Sequence, residues 1–254
     1  MTALLQVEKL RKSFGGLAVT QDVSITMAAG ERVALIGPNG AGKTTFVDLV
    51  TGHLRPDSGR LLLCGVDVTK LSPTERVKLR LGRSFQVTRL FLSMTAREHL
   101  GLSVMQRCGT AGRMYGHYQD NSQVTEEIDQ LLGLLGLNLV ADQKVAEIAY
   151  GQQRLLEIAL ALALKPKVLL LDEPAAGVPQ NDTQRISAAL AALPSDLAVM
   201  MIDHDMDLVF RFATRVVVLA AGAIIFDGSP AEVTKDQRVR EAYLGSYAHD
   251  HNGS

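Results

Sequence analysis

The sequence has few cysteines, no excess of basic charge and no long apolar run. Its two cysteines, Cys64 and Cys108, lie outside any CxxC or Cys/His ligand spacing, so we interpret them as reduced thiols of a cytosolic protein, with a disulfide as the alternative. The formal net charge of −1 provides no global field that would attract nucleic acid. No segment reaches the roughly 18–20 uninterrupted apolar residues that cross a bilayer. We therefore expect a protein that is soluble alone and reaches a membrane only through a partner.

The 254 residues instead contain alternating strand and helix patterns. Short alternating strands are predicted over residues 3–36, and helical periodicity dominates from about 72 to 163. Apolar runs typical of buried strands return at Val168–Leu171 and Ala198–Ile202. Strands that alternate with helices indicate an α/β fold with a mostly parallel core sheet.

The segment Gly37–Thr44 (GPNGAGKT) fits the pattern GxxxxGK[ST] of a phosphate-binding loop. A short apolar run, Arg32–Ile36, precedes it, and helical spacing follows it. Glycines let consecutive backbone N–H groups point at a phosphate, and the N-terminus of the following helix adds positive charge. Lys43 would neutralise the β- and γ-phosphates, and the Thr44 hydroxyl would bind Mg²⁺. The alternative is an ordinary glycine-rich turn.

A second candidate site is the apolar run Val168–Leu171, which ends in Asp172 and Glu173. Two carboxylates at the end of a buried strand are costly unless positive charge is close to them. We predict that Asp172 binds Mg²⁺, directly or through water, and that Glu173 polarises the attacking water as general base. In isolation the aspartate could instead cap the next turn.

The third candidate is the pentapeptide Ala149–Gln153 (AYGQQ) at the start of a predicted helix. Phosphate loop, pentapeptide and Leu-Leu-Leu-Asp-Glu-Pro, in this order, resemble the ABC ATPases, in which the pentapeptide is usually LSGGQ and caps the γ-phosphate bound by the opposite subunit. A glycine at a helix N-terminus leaves N–H groups that an anion can use. Tyr150 stands in place of the usual serine and Gln152 in place of the second glycine. The alternative is a helix-capping turn.

Three further residues match positions of the family. Gln86 resembles the Q-loop glutamine, which touches Mg²⁺ and couples to the membrane partner. His204 resembles the switch histidine that contacts the γ-phosphate, and Phe14 resembles the aromatic residue that stacks on adenine. Each is a weak signal alone, since a surface glutamine, a helix-capping histidine and a core phenylalanine are common.

Among the ABC ATPases, the sequence resembles those of branched-chain amino acid importers. The similarity lies in Arg83–Phe91, in the unusual AYGQQ form and in the ending Arg240–Gly245. Relatives of this subfamily serve hydrophobic amino acids, amides or urea. Two departures affect the expected coupling or hydrolysis rate: Val178-Pro179-Gln180 replaces the usual Leu-Asn-Pro, and Leu160 replaces a common arginine.

The resemblance implies a single cassette at 4–246, with a RecA-like core at about 4–86 and 164–246, an N-terminal antiparallel β subdomain, a helical subdomain at about 87–163 and a flexible tail at 247–254. It implies ATP and Mg²⁺ as cofactors and a second ATPase subunit, two permeases and, indirectly, a solute-binding protein as partners, at the cytoplasmic face of the membrane. The implied site residues form four groups: nucleotide-binding Phe14, Gly37, Pro38, Asn39, Gly40, Ala41, Gly42, Lys43, Thr44 and Thr45; signature Ala149, Tyr150, Gly151, Gln152 and Gln153; metal-binding Thr44, Gln86 and Asp172; catalytic Glu173, His204 and Lys43.

Three other readings of the sequence remain as alternatives to an importer ATPase. Soluble ABC ATPases of DNA repair, chromosome structure or translation carry coiled-coil insertions, zinc modules or paired cassettes, which these residues lack. A P-loop kinase of small molecules would lack the pentapeptide and His204. A regulatory ABC module with weak hydrolysis is kept open by Pro179, because proline has no N–H and a fixed φ.

Overall fold

The computed structural model describes residues 3–84, 90–109 and 122–250. The described residues divide into two units, one within Met1–Leu81, Lys167–Leu170 and Asp196–Ser254, the other within Gly82–Pro166 and Leu171–Ser195. The predicted metal ligand Gln86 lies outside the described residues. So do the first three residues of the segment Val87–Leu92, which we expect to pass dimer closure to the permease.

Strands and helices alternate along the chain. The strands are β1 (Ala3–Phe14), β2 (Leu17–Ala28), β3 (Arg32–Ile36), β4 (Ser58–Leu63), β5 (Val66–Asp67), β6 (Leu81–Arg83), β7 (Val168–Asp172), β8 (Ala198–Ile202), β9 (Arg215–Ala220) and β10 (Ala223–Gly228). The helices are α1 (Lys43–Thr51), α2 (Pro73–Lys78), α3 (Ala96–Arg107), α4 (Ser122–Leu134), α5 (Tyr150–Ala163), α6 (Gln180–Ala191), α7 (Met206–Phe212), α8 (Pro230–Val233) and α9 (Gln237–Asp250), with short 3₁₀ helices at Asn138–Val140 and Val145–Glu147.

A four-stranded antiparallel sheet contains the first two strands of the chain, in the order β2-β1-β4-β5. Its buried side chains alternate with exposed ones, as expected for a sheet with one face toward the core. Apolar side chains from the sheet pack with Phe46 and Leu49 of α1 in one core cluster. This sheet is the antiparallel β subdomain predicted from the sequence.

The second sheet has the order β10-β9-β3-β8-β7-β6. β3 pairs in parallel with β8 and β9, and β10 adds an antiparallel edge strand. Every residue of β7 and β8 is buried, which is the pattern of a parallel sheet covered on both faces. The mostly parallel α/β core predicted from strand and helix alternation is confirmed.

Helices dominate the second unit. α3 packs on α4 and α5, and α5 also contacts α6. α3 begins with a capping box, in which the Thr95 hydroxyl accepts from the Glu98 backbone N–H and the Glu98 carboxylate accepts from that of Thr95. This unit includes the segment predicted as a helical subdomain and also residues 171–195. The boundaries at 87 and 163 stay a prediction, and α9 extends into the predicted tail as far as Asp250.

Candidate functional site

The phosphate loop has the predicted strand–loop–helix context. β3 ends at Ile36, the loop follows, and α1 begins at Lys43 with Gly42 as its N-cap residue. No side chain caps this helix, and the N-terminus of a helix is a favourable position for an anion. Gly37 has a φ of +154°, and a Cβ there would lie 2.0 Å from the Leu219 carbonyl oxygen. The close approach of the two backbones therefore requires glycine at this position.

Lys43, at the end of the phosphate loop, is hydrogen-bonded to the residues at its start. Its Nζ donates to the carbonyl oxygens of Gly37 at 2.6 Å and Pro38 at 3.0 Å. The ammonium group thus joins the end of the loop to its start. Thr44 is exposed and Thr45 is half-buried on the first turn of α1.

Phe14 and His204 are exposed in the same unit as the loop. Phe14, at the end of β1, is 48% exposed, and the Lys12 Nζ lies 5.6 Å from its ring centroid. The His204 side chain is 75% exposed directly after β8. Both side chains can meet a ligand without moving any core residue.

Asp203 orients the backbone on which His204 lies. Its Oδ1 accepts from the N–H groups of His204 at 2.7 Å and Asp205 at 3.0 Å, while no described residue hydrogen-bonds its Oδ2. Burial raises the pKa of the Asp203 carboxyl, and the two backbone hydrogen bonds oppose that rise.

Because its folded pKa is raised, Asp203 stabilises the fold most at low pH, and this contribution is lost as pH rises through the folded pKa. Asp203→Asn keeps an acceptor oxygen and removes the buried charge, so we expect a Tm a few degrees above wild type at pH 8. Thermal unfolding from pH 4 to pH 8 checks this. A difference in Tm between Asp203→Asn and wild type that stays the same from pH 8 to pH 4 would contradict a raised pKa of Asp203.

In the second unit, Asp172 ends β7 and is 6% exposed. Its Oδ2 accepts from the Arg83 Nη2 at 3.0 Å. A buried carboxylate with a cationic partner fits a position built for positive charge. Arg83 was part of the family resemblance, but its partner was not predicted, because the two residues are 89 positions apart.

Glu173, the residue after Asp172, has a left-handed backbone conformation. Its φ is +47°, a conformation that costs a non-glycine residue of order 1–3 kcal/mol. Its carbonyl oxygen accepts from the Ala176 N–H at 3.1 Å and from the Arg154 Nη2 at 2.8 Å. The side chain is half-buried directly after the Asp172 carboxylate.

The pentapeptide forms the N-terminus of α5, with Ala149 as N-cap and Tyr150 as the first helical residue. Gln152 Oε1 accepts from the Ala149 N–H at 3.0 Å. Tyr150 is 41% exposed. A Cβ at Gly151 would lie 3.1 Å from the Asp182 Cβ, so the glycine allows α5 to approach α6 closely.

Pro179 occupies a position that suits proline. It is the N-cap of α6, and its carbonyl oxygen accepts from the N–H groups of Asp182 and Thr183. A missing N–H leaves no helical hydrogen bond unmade there, and the φ of −56° is one that proline favours. This departure from the family pattern is therefore accommodated within the second unit.

Leu160, the second departure, lines an apolar groove. The groove is formed by Arg83, Ser84, Leu90, Ser103, Glu157, Leu160, Ala161 and Leu164. All of these belong to the second unit. Phe91 and Leu92, directly after Leu90, are 64% and 57% exposed.

Two contacts of site residues were not predicted from the sequence. Arg154 reaches the Glu173 backbone from α5. Tyr243, within the family-like ending Arg240–Gly245, accepts a hydrogen bond from Gly37 of the phosphate loop; burial raises the pKa of the Tyr243 hydroxyl, and that hydrogen bond opposes the rise. The residue types gave no indication of these partners.

Within the described residues, the predicted site residues fall into two groups. The first unit holds Phe14, the loop and His204, and the second holds the pentapeptide, Asp172 and Glu173. No set of three or more His, Cys, Asp or Glu side chains in the described ranges could hold a metal ion. No helix in those ranges has the length and hydrophobicity that crossing a bilayer demands.

Comparison with known families gives two matches. Residues 20–176 match the ABC transporter family, and residues 223–249 match the branched-chain amino acid ATP-binding cassette transporter family. The first match contains the phosphate loop, the pentapeptide and the two carboxylates, and the second contains Tyr243.

Individual proteins agree with the family match. The chain is 35% identical to the high-affinity branched-chain amino acid transport ATP-binding protein of Pseudomonas aeruginosa, over 95% of this chain and 98% of the relative. It is also 35% identical to the lipopolysaccharide export ATP-binding protein of Acidithiobacillus ferridurans, over 96% and 98%. An ATP-binding cassette of an ABC transporter, solved in its ADP conformation, is 29% identical with a TM-score of 0.83, over 96% of this chain and all of that one. The chain therefore belongs to the ABC transporter family, as an ATP-binding and ATP-hydrolysing subunit.

Proposed function

We propose that this ATPase energises an importer of branched-chain or other hydrophobic amino acids. The observation that carries the proposal is the match of residues 223–249 to the branched-chain amino acid ATP-binding cassette transporter family. The Pseudomonas relative, named for branched-chain amino acid transport, supports it. Import of urea or amides is one alternative function. Export of lipopolysaccharide is another, because one relative is named for it.

We propose that two subunits bind two ATP molecules head-to-tail. Lys43 neutralises charge on the β- and γ-phosphates, supported by the position of its Nζ at the loop carbonyls. Glu173 polarises the attacking water, and His204 contacts the γ-phosphate. The Ala149–Gln153 segment of the opposite subunit covers that phosphate. The subunits separate as phosphate leaves, so differential affinity of the closed state for ATP and ADP drives the cycle.

Thr44, Asp172 and Gln86 are the proposed ligands of Mg²⁺. Hydroxyl, carboxylate and amide oxygens are ligands that this ion prefers. Asp172 is a buried carboxylate, which is costly without positive charge beside it, and Mg²⁺ would add to the Arg83 guanidinium in that role. When bound, Mg²⁺ would offset negative charge on the phosphate oxygens.

We propose that the apolar groove receives a cytoplasmic helix of a membrane permease, which would hold the subunit at the cytoplasmic face of the membrane. Leu90, Leu160 and Leu164 give the groove an apolar lining, and Phe91 and Leu92 are exposed after Leu90. Exposed apolar residues of this kind mark protein interaction sites. A solute-binding protein would act through the permease.

Purification of the tagged protein from membranes of its own cells, with identification of stoichiometric partners, tests this function. Two permeases with the hydropathy of membrane proteins, and leucine uptake that depends on this gene, are the expected result. Recovery of soluble partners only would contradict the transporter assignment. Uptake of urea or amides instead, or accumulation of lipopolysaccharide in the inner membrane of a depleted strain, would identify an alternative cargo.

Leu160→Glu is expected to release the subunit from its permeases, because a carboxylate in the groove would lose water when the helix docks, while the Arg83 guanidinium in the lining already pairs with Asp172. We expect at least a tenfold loss of co-purified permease, about 1.4 kcal/mol or more of binding free energy. Leu139→Glu is the matched control, since Leu139 is 93% exposed and lies outside the groove. Equal recovery of permease with both variants would contradict the groove assignment.

A further inference from the structure

Arg154 connects α5 to the residue proposed as the base. Its side chain is 2% exposed, yet it carries a charge. Nη2 donates to the Glu173 carbonyl oxygen at 2.8 Å, Nη1 to the Glu157 carboxylate at 2.6 Å, and Nε approaches the Pro174 carbonyl oxygen at 3.4 Å. The guanidinium is therefore directed at the backbone of Glu173 and Pro174 on one side and at Glu157 on the other.

The Glu173 backbone needs such a partner. A left-handed φ of +47° is unfavourable for glutamate and persists only when the surroundings enforce it. The direction of the Glu173 side chain depends on this backbone, because Cα geometry fixes where Cβ points. Two donors, Arg154 Nη2 and the Ala176 N–H, hold the Glu173 carbonyl oxygen. Hydrogen bonds from a charged group are the stronger kind.

Burial of the Arg154–Glu157 pair does not by itself account for this arrangement. Both side chains are buried, at 2% and 8% exposure, and apolar side chains of similar volume are often as stabilising as such a pair. The planar guanidinium carries five N–H donors in a rigid fork, so it can reach acceptors on two sides at once; an apolar chain has no donor, and the three donors of an ammonium group radiate from a single nitrogen. The geometry thus favours a role in orientation.

We propose that Arg154 is a positioning residue that holds the Glu173 backbone in its left-handed conformation and so aims the Glu173 carboxylate. This inference rests on the proposed role of Glu173 as base. Arg154 lies one residue after the Ala149–Gln153 segment, on the same helix. Contact of that segment with the ATP of the opposite subunit would act on Glu173 through Arg154, and each half of the dimer would sense the occupancy of the other.

Arg154→Lys tests the proposal, with Arg76→Lys as matched control. Arg76 is an equally buried arginine, 1% exposed, that donates to the carbonyl oxygens of Leu49, Val50, Leu71 and Thr69. Arg154→Lys is expected to lower kcat about 10- to 100-fold, with KM and the Kd of MgATP changed less than about threefold. Arg76→Lys is expected to lower Tm as much, while kcat stays within about threefold. A kcat loss no larger in Arg154→Lys than in Arg76→Lys would overturn the proposal.

A double-mutant cycle with Glu173→Gln identifies the route of the effect. In single-turnover hydrolysis, Arg154→Lys should change the residual rate of Glu173→Gln by less than about twofold, because the group it positions is already gone. An undiminished 10- to 100-fold loss in that background would show that Arg154 acts elsewhere. Equal rates of wild type and Glu173→Gln would instead remove the proposed base, and Arg154 as its positioning residue with it.

A second variant is measured if the Arg154→Lys protein is too unstable to interpret. If Arg154→Lys lowers Tm more than Arg76→Lys does, the paired replacement Arg154→Met with Glu157→Leu removes both buried charges and is measured in the same way. Loss of kcat at unchanged MgATP affinity supports the positioning role, and wild-type kcat overturns it.

Discussion

Glu173→Gln is expected to lower steady-state ATP hydrolysis at least 100-fold while MgATP binding is retained. The amide keeps the size of the side chain but cannot take a proton from water, and general-base catalysis contributes about 10²–10⁴-fold. Because the closed dimer opens only after hydrolysis in the proposed cycle, MgATP should convert this variant to a stable dimer. Phosphate release and size-exclusion chromatography with MgATP measure the two effects.

Glu126→Gln is the control for this experiment, because Glu126 is an exposed glutamate in the same unit. It should hydrolyse ATP at the wild-type rate and stay monomeric after turnover. If wild-type turnover is no faster than that of Glu173→Gln, the chain is a weakly hydrolysing regulatory module. Hydrolysis lost without any dimer would contradict the head-to-tail arrangement.

Lys43→Met is expected to weaken MgATP binding at least 100-fold, which corresponds to about 2.7 kcal/mol. The variant loses the positive charge on the phosphates. It also loses the two hydrogen bonds from Nζ to the carbonyl oxygens of Gly37 and Pro38. The loop itself should therefore open, and the Tm of the nucleotide-free protein should fall as well. Titration with a fluorescent ATP analogue and thermal unfolding measure the two effects.

Lys78→Met, an exposed lysine on α2, is the control for loss of one positive charge. It should bind MgATP as wild type does. A Lys43→Met protein with wild-type affinity would contradict the assignment of the loop. An unchanged Tm with weakened binding would mean that Lys43 acts on the phosphates alone and does not hold the empty loop.

The local features of the site could be predicted from the sequence. The loop, its strand and its helix are adjacent along the chain, so their pattern is visible in consecutive residues from Arg32 to Thr51. The same holds for the buried strand β7 and the carboxylates that follow it. Pro179 was noted in the sequence because proline has no N–H, and the structure places it as the N-cap of α6, where no N–H is needed. Its backbone position could be known only from the folded chain.

The unpredicted features depend on tertiary packing. Arg83 meets Asp172 across 89 residues, and Arg154 meets the Glu173 carbonyl oxygen across 19. Tyr243 meets Gly37 from the other end of the chain. Sequence spacing carries no information on such pairs, and backbone carbonyl oxygens as partners leave no trace in residue identity.

The central claim is that hydrolysis at Glu173 energises amino acid import. Reconstitution of the complete complex in proteoliposomes, with the binding protein outside and MgATP inside, tests it through uptake of radiolabelled leucine. We expect uptake that requires ATP and is abolished by Glu173→Gln, with hydrolysis stimulated by the loaded binding protein. Leucine uptake that persists in Glu173→Gln, or ATP hydrolysis in the wild-type complex without uptake of any hydrophobic amino acid, would contradict the account.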